Sequence, residues 1–204
     1  MIVTKGQLPA VLALCQLDGI AGRLLLCPPE LNAATIQAIL HQAQIDTVVT
    51  DGTGPVLQWP AAVRVVACGD TISATAEEPV RRIETEWVLL TSGTTGLPKL
   101  AVHSLAALTG PLRERSTSAT SLVWSTFYDV RRYGGLQILL RALGSSGSMV
   151  LSDPDEAVSD FLDRAAQNGV SFISGTPSHW RRALMSERPS GFSPKYVRLS
   201  GEAC

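Results

Sequence analysis

Short apolar runs alternate with stretches of helical periodicity from the start of the chain. Residues 8–17 have a helical pattern, and residues 23–27 (RLLLC) form a short apolar run that predicts a buried strand. Asn32 can cap a helix that continues to Ala43, because apolar residues recur there every three or four positions. Residues 46–50 (DTVVT) predict the next strand. This strand–helix–strand order favours a parallel sheet.

The same alternation continues through the rest of the sequence. It predicts strands at 63–67, 87–90, 100–103, 121–126, 148–151, 171–173 and 196–199, and helices at 105–115, 135–143, 154–167 and 177–185. The fold class expected is therefore α/β, with layered parallel-sheet βαβ architecture. A polar stretch at 69–79 is the candidate linker.

Composition is consistent with this fold and narrows the choice of partners. Hydrophobic residues make up 45% of the chain and charged residues 17%, as in a globular protein whose sheet is covered on both faces. The same apolar content fits a surface that further polypeptide covers, or self-association through exposed apolar surface. A net charge of −1 gives no general attraction for nucleic acid or anionic membranes.

The cysteines and histidines argue against a zinc site. Four cysteines lie far apart without a C-x-x-C pair, and the three histidines have no metal-ligand spacing. We therefore expect free thiols and no metal-ligating residues. The N-terminal apolar stretch is too short to span a bilayer and lacks a cleavage signal, so we expect a cytoplasmic protein.

The most informative polar segment is TSGTTGLPK at residues 91–99. Gly93 and Gly96 permit left-handed backbone, so successive N–H groups can converge on an anion, and Lys99 adds a positive charge. These residue types leave two interpretations open, a phosphate cradle and a polar surface turn. A Walker P-loop is excluded because Pro98 precedes the lysine and residues 100–103 alternate like a strand.

The order T-S-G-T-T-G-x-P-K resembles the phosphate-loop signature of the adenylate-forming superfamily. That superfamily includes acyl- and aryl-CoA synthetases, adenylation domains of peptide synthetases, and luciferases. The resemblance implies part of their large N-terminal domain and binding of the ATP phosphates during adenylation of a carboxylate. It implies that Lys99 is catalytic and that the phosphates are bound by Thr91, Ser92, Gly93, Thr94, Thr95, Gly96 and Lys99.

Later segments match the same superfamily in order. Residues 128–137 and 174–177 resemble its acyl-pocket segments, and residues 200–203 resemble the turn beside the adenine, with one glycine fewer. By this resemblance Tyr128, Gly135 and Gly175 border the substrate pocket, and Gly201, Glu202 and Ala203 meet the adenine. The implied cofactors are ATP, Mg²⁺ with Thr95 as a hydroxyl partner, and CoA or carrier phosphopantetheine. The sequence departs from the superfamily pattern at Leu100 and in residues 128–135, so the resemblance does not identify the carboxylate substrate.

The superfamily continues with segments that residues 1–204 do not contain. These supply a Mg²⁺-binding glutamate, a ribose-binding aspartate and a second catalytic lysine, so we expect 1–204 to be a partial AMP-binding domain. Missing polypeptide segments are then expected partners, and this chain alone should have negligible adenylation activity. The alternative is a truncated non-catalytic paralogue that binds nucleotide or a partner, and a third reading is an α/β domain whose loop is only a turn.

Other polar and aromatic residues have simpler interpretations than catalysis. We expect His103 to be a strand residue near the loop, and Asp129 to cap a turn or pair with Arg131. We expect the arginine pairs 131–132 and 181–182 to lie on solvated faces, and Trp124 and Trp180 to be core or pocket wall.

Overall fold

The computed structural model describes residues 1–53, 58–72, 83–91, 96–112, 122–186 and 192–201. It divides into two compact units, Met1–Leu108 and Thr109–Cys204. The candidate linker 69–79 lies partly outside the described residues and stays a prediction. Within the described ranges, no helix has the length and apolar character needed to cross a membrane.

The first unit is built on a six-stranded sheet with the order β4-β3-β1-β2-β5-β6. All neighbouring strands are parallel except β5 and β6, which form an antiparallel pair. Its elements are β1 (Ile2–Val3), α1 (Gln7–Leu17), β2 (Arg23–Cys27), α2 (Ala33–Gln42), β3 (Thr47–Thr50), β4 (Arg64–Ala67), β5 (Glu86–Thr91), β6 (Lys99–Ser104) and α3 (Leu105–Thr109).

Two features of this unit differ from the sequence prediction. Strand β1 was not predicted, although Ile2 pairs with both Leu26 and Val49 at the centre of the sheet. Helix α3 ends at Thr109 rather than at residue 115. Pro111 explains the early end, because proline cannot donate the next helical hydrogen bond and disfavours helical backbone in the preceding residue.

The core of the first unit lies against the central strands. Leu25, Val48 and Val88 come from three strands and pack with Ile39 and Leu40 of α2. Along β2, four consecutive residues are buried, so both faces of the strand are covered. Asn32 caps α2 as predicted, with its side-chain oxygen accepting the Thr35 N–H at 2.9 Å.

The second unit holds a four-stranded parallel sheet with the order β10-β9-β7-β8. Its elements are β7 (Val123–Thr126), α4 (Tyr133–Gly144), β8 (Ser148–Val150), α5 (Val158–Gln167), β9 (Phe172–Gly175), α6 (Pro177–Met185) and β10 (Tyr196–Leu199). Helix α5 begins at Val158, later than the predicted residue 154. Residues 153–156 form a turn instead, in which the Asp153 carboxylate accepts the Asp155 N–H at 3.0 Å.

One face of this second sheet packs against α5 and α6. Ile173 of β9 contributes to that core together with Phe161, Ala165 and Ala183. Because side chains alternate along a strand, Phe172 and Ser174 project from the opposite face of β9. That opposite face carries the aromatic side chains described below.

Candidate functional site

The β5–β6 hairpin brackets the predicted phosphate loop in the first unit. Its register runs from Glu86 opposite Ser104 to Thr91 opposite Lys99. Thr91 and Lys99 are both exposed, and the Thr91 hydroxyl lies 3.5 Å from the Lys99 carbonyl oxygen. The strand ladder therefore fixes both ends of the loop and leaves the Lys99 side chain open to solvent.

Within the loop, Gly96 has a φ of +96°. Residues other than glycine rarely adopt this left-handed conformation, so the glycine is required by the backbone path. Ser92, Gly93, Thr94 and Thr95 lie outside the described residues. Their contacts with phosphate remain a prediction.

His103 lies away from the loop end of the hairpin. It pairs with Trp87, four positions along β6 from Lys99, which is roughly 13 Å of strand. Its neighbours around a cavity include Glu84 and Glu86. This position supports the expectation of a strand residue and gives no support to a phosphate contact.

In the second unit, Tyr128 holds the turn that follows β10. Its hydroxyl donates to the Ser200 carbonyl at 2.6 Å and lies 3.0 Å from the Ser200 hydroxyl. Gly201 has a φ of +89°, and a Cβ there would lie 3.5 Å from the Tyr128 hydroxyl. Two predicted site residues, Tyr128 and Gly201, are thus brought together. Glu202 and Ala203 lie outside the described residues.

Gly135 and Gly175 are both needed for close packing. A Cβ on Gly135 would lie 2.1 Å from the Asp129 carbonyl oxygen, and one on Gly175 would lie 2.7 Å from the Phe127 ring. Gly135 therefore lets α4 begin against the backbone of the preceding turn. Their predicted role as borders of a substrate pocket stays a prediction.

His179 belongs to this region and was missed by the sequence analysis. The Thr176 hydroxyl accepts the His179 N–H at 3.1 Å, and His179 Nδ1 accepts the Thr176 N–H at 3.1 Å, which forms a capping box. The imidazole stacks on Phe127 at 5.3 Å and meets the Tyr128 ring edge-to-face at 5.8 Å. The signal was Thr176-Pro177 followed by a residue with an acceptor at the third helical position.

Arg131 corrects one sequence expectation and confirms another. The residue is only 1% exposed rather than solvated, whereas Arg132 is exposed. Its Nε and Nη2 atoms donate to the two Asp129 carboxylate oxygens at 2.7 and 2.6 Å, and its backbone N–H donates to the same carboxylate at 2.8 Å. Asp129 is therefore a turn cap and ion-pair partner, as expected. Arg181 and Arg182 are exposed, also as expected.

A cavity of about 360 Å³ lies beside α4 on the second sheet, and we call it the α4 cavity. Its aromatic wall consists of Trp124, Phe172 and Tyr196, from three neighbouring strands. Arg141 of α4 and Arg198 of β10 also line it. Trp124 is thus a cavity wall, as expected, whereas neither arginine could be linked to a cavity from the sequence.

Metal binding by the described part of the chain has no structural support. Within the described ranges, no group of three or more His, Cys, Asp and Glu side chains is placed to hold an ion. Cys15, Cys27 and Cys68 are free thiols there.

Comparison with known proteins identifies the family. The sequence profile of the AMP-binding enzyme family matches residues 19–203. The chain belongs to the AMP-binding enzyme family. This membership confirms the resemblance carried by residues 91–99 and 200–203.

Relatives of this AMP-binding enzyme domain include peptide synthetases and CoA synthetases. The chain is 26% identical over 174 residues to the siderophore peptide synthetase fer3 of Mycosarcoma maydis, covering 74% of the chain and 4% of that protein. The unliganded O-succinylbenzoate CoA synthetase of Bacillus subtilis superposes with a TM-score of 0.76 at 16% identity, covering 98% of this chain and 45% of that one. The N-terminal domain of FACL13 from Mycobacterium tuberculosis gives 0.71 at 14% identity, covering 91% and 51%.

These structures confirm the α/β fold predicted for an AMP-binding enzyme domain. The chain spans about half the length of the solved relatives and a small part of the peptide synthetase. At these identities the structural likeness establishes the fold.

Proposed function

We propose that the protein containing this domain uses ATP to convert an organic carboxylate into an acyl-adenylate, and then transfers the acyl group to CoA or a carrier thiol. In the first step a carboxylate oxygen attacks the α-phosphorus of ATP and pyrophosphate leaves. In the second step a thiolate attacks the acyl carbon and AMP leaves. The observation that carries the proposal is the family match over residues 19–203, which includes the glycine-rich loop on the β5–β6 hairpin.

Lys99 has the central role in the first unit. Its exposed ammonium group, at the end of a rigid hairpin, neutralises charge on the outer phosphates as pyrophosphate departs. Hydroxyl groups and backbone N–H groups donate to the same phosphates, and they come from Thr91, Gly96 and residues 92–95. Mg²⁺ would arrive bound to ATP, with the Thr95 hydroxyl as a partner.

In the second unit, the turn held by Tyr128 meets the adenine. The hydrogen bond from Tyr128 to the Ser200 carbonyl orders the backbone that leads into Gly201, Glu202 and Ala203. The Ser200 N–H donates to the Gly175 carbonyl at 3.2 Å, so the end of β9 anchors the start of that turn.

The test is ATP–pyrophosphate exchange in the longest reading frame that contains this sequence, with a panel of carboxylic acids. We expect Lys99→Ala to reduce exchange by about 10²–10³-fold, the loss typical of removing one transition-state charge contact. Lys195→Ala, which removes an exposed lysine before β10, should leave exchange unchanged. The 204-residue chain alone should give no exchange above its own Lys99→Ala variant.

Equal exchange by the parent and by Lys99→Ala would contradict the role of Lys99. The non-catalytic alternative predicts nucleotide binding without exchange. The protein would then bind ATP in calorimetric titration, Lys99→Ala would abolish the binding, and no acid would support exchange.

A further inference from the structure

The α4 cavity has an aromatic wall suited to a flat ring system. The Trp124 and Phe172 ring centroids lie 4.7 Å apart and those of Phe172 and Tyr196 lie 5.5 Å apart, with small interplanar tilts of 30° and 37°. The rings are close together and nearly parallel, so they stack on one another in a row across β7, β9 and β10. A planar aromatic group can pack edge-to-face against such a row.

The charge in this cavity is unbalanced. Arg141 and Arg198 both line it, and no aspartate or glutamate is among the described residues around it. The Arg141 Nε atom is buried and has no hydrogen-bond partner within the described part of the chain. A buried donor on a cation is costly to leave unpaired, so the arrangement favours an anionic acceptor in the cavity.

The hydroxyl groups nearby do not supply that acceptor. Ser174 donates to the Thr126 hydroxyl at 2.9 Å, and Ser125 donates to the Val150 carbonyl at 2.8 Å. Both are engaged within the sheet. The arginines are the charged groups of the cavity that can bind a ligand, and guanidinium groups match carboxylates with paired hydrogen bonds.

The cavity is also placed to continue from the predicted substrate pocket. Arg198 lies two residues before Ser200 on β10 and the turn after it, so the two side chains belong to the same face. Helix α4 starts beside Tyr128, where a Cβ on Gly134 would lie 3.5 Å from the ring. Arg141 is seven residues further along the helix, which is roughly 10 Å along its axis.

We propose that the α4 cavity makes this protein selective for an aromatic acid that carries a second anionic group at its far end, bound by Arg141 with Arg198. The inference rests on the proposed function, because the near carboxylate is the one activated. The rings of the acid pack against the row formed by Trp124, Phe172 and Tyr196. The roughly 10 Å helical spacing favours a rigid two-ring spacer between the two anionic groups.

The probe pair that isolates the second charge is biphenyl-4,4′-dicarboxylate and its monoamide, 4′-carbamoylbiphenyl-4-carboxylate. The two acids have nearly the same shape and differ in the far group. Binding is measured without ATP, by the change in tryptophan fluorescence on titration, because Trp124 lies in the wall. We expect the diacid to bind at least about 10-fold more tightly than the monoamide, since charge-assisted hydrogen bonds are the stronger kind.

Substitutions then identify the side chain that binds the second anionic group of the diacid. Arg141→Gln should reduce diacid affinity by about 10- to 100-fold and leave monoamide affinity unchanged, and Arg141→Lys should restore part of the loss. Arg181→Gln, at an exposed arginine of α6, is the matched control and should change neither affinity. Circular dichroism of each variant verifies that the fold is retained.

The outcomes separate this inference from the proposed function. Equal binding of the two acids, or equal effects of Arg141→Gln on both, would overturn the assignment of the cavity, even if other acids support pyrophosphate exchange. Arg141-dependent binding of the diacid without exchange for any acid would instead retain the ligand class and overturn adenylation.

Discussion

At the scale of single residues, Gly135 is the most constrained position in the second unit. A methyl group there would lie 2.1 Å from the Asp129 carbonyl oxygen and 2.8 Å from the Val130 nitrogen, both of which are backbone atoms. Gly135→Ala must therefore displace the start of α4 from the turn before it. We expect a loss of about 3 kcal/mol in the free energy of unfolding, measured by urea denaturation.

Helix α4 provides its own control for this substitution. Gly144 is its last residue, and a Cβ there would meet nothing within 4 Å. Gly144→Ala should cause no loss and can add ~0.5 kcal/mol, because alanine restricts the unfolded chain more than glycine does. Similar losses in the two variants would show that contact with the Asp129 backbone is not what requires glycine at position 135.

The environment of a residue was predictable where it depends on neighbouring residues in the sequence. It was not predictable where it depends on residues far away in the sequence. A loop between two extended segments at Thr91, Gly96 and Lys99 was predictable from the local order of residues, and phosphate binding there stays a prediction. The burial of Arg131 was not predictable, because it depends on the fold enclosing the Asp129 ion pair. The same holds for Arg141, whose environment is built by three separate strands.

At the scale of elements, an ion pair sets where α5 begins. Arg164 of α5 donates to Glu156 through Nε at 2.8 Å and through Nη2 at 2.6 Å. Nη2 also donates to the Leu151 carbonyl at 2.7 Å, which fixes the chain leaving β8. The turn before the helix is therefore tied to the last turn of the helix.

This ion pair gives a pH-dependent contribution to stability. The hydrogen bonds from Arg164 hold the pKa of Glu156 below its ordinary value of 4.5, against the opposing effect of burial. The stabilisation is thus complete above pH 4.5 and is lost as the pH falls through the folded-state pKa. Because Arg164 is 38% exposed, solvent screening limits the effect, and we expect Glu156→Gln to cost about 1 kcal/mol at pH 7.

The measurement compares urea midpoints of the parent and of Glu156→Gln at pH 7 and at successively lower pH. The difference should shrink as Glu156 becomes protonated in the parent. Asp163→Asn, which changes an exposed carboxylate on the same helix, should shift the midpoint little at pH 7. A difference between parent and Glu156→Gln that persists in acid would assign the stabilisation to shape rather than to charge.

Elements with clear end signals were predicted closely, whereas the two-residue strand β1 was not predicted. Strand β2 and helix α6 have the predicted bounds, because Pro28 stops the strand and Thr176-Pro177 starts the helix. Strand β1 has two residues, which is too few to show a period. The antiparallel pairing of β6 follows from loop length, since residues 92–98 are too few for a parallel crossover.

At the scale of the whole molecule, each compact unit has a hydrophobic cluster of its own. Leu25, Ile39 and Val88 belong to the cluster of the first unit, and Phe161 and Ile173 belong to that of the second. The strands of each sheet also come from one unit only. Separate cores and separate sheets favour separate opening, since cooperative units commonly coincide with such substructures.

Hydrogen exchange can test this independence with two substitutions. Gly135→Ala should lower the protection of amides in α4, β7 and β9, while amides in β2 and β5 keep the protection of the parent. Leu25→Ala, which removes a fully buried side chain at a cost of about 2–5 kcal/mol, should give the reverse pattern. Equal loss of protection in both sheets from either substitution would show that the described chain unfolds as one cooperative unit, with a single free energy of unfolding shared by both cores.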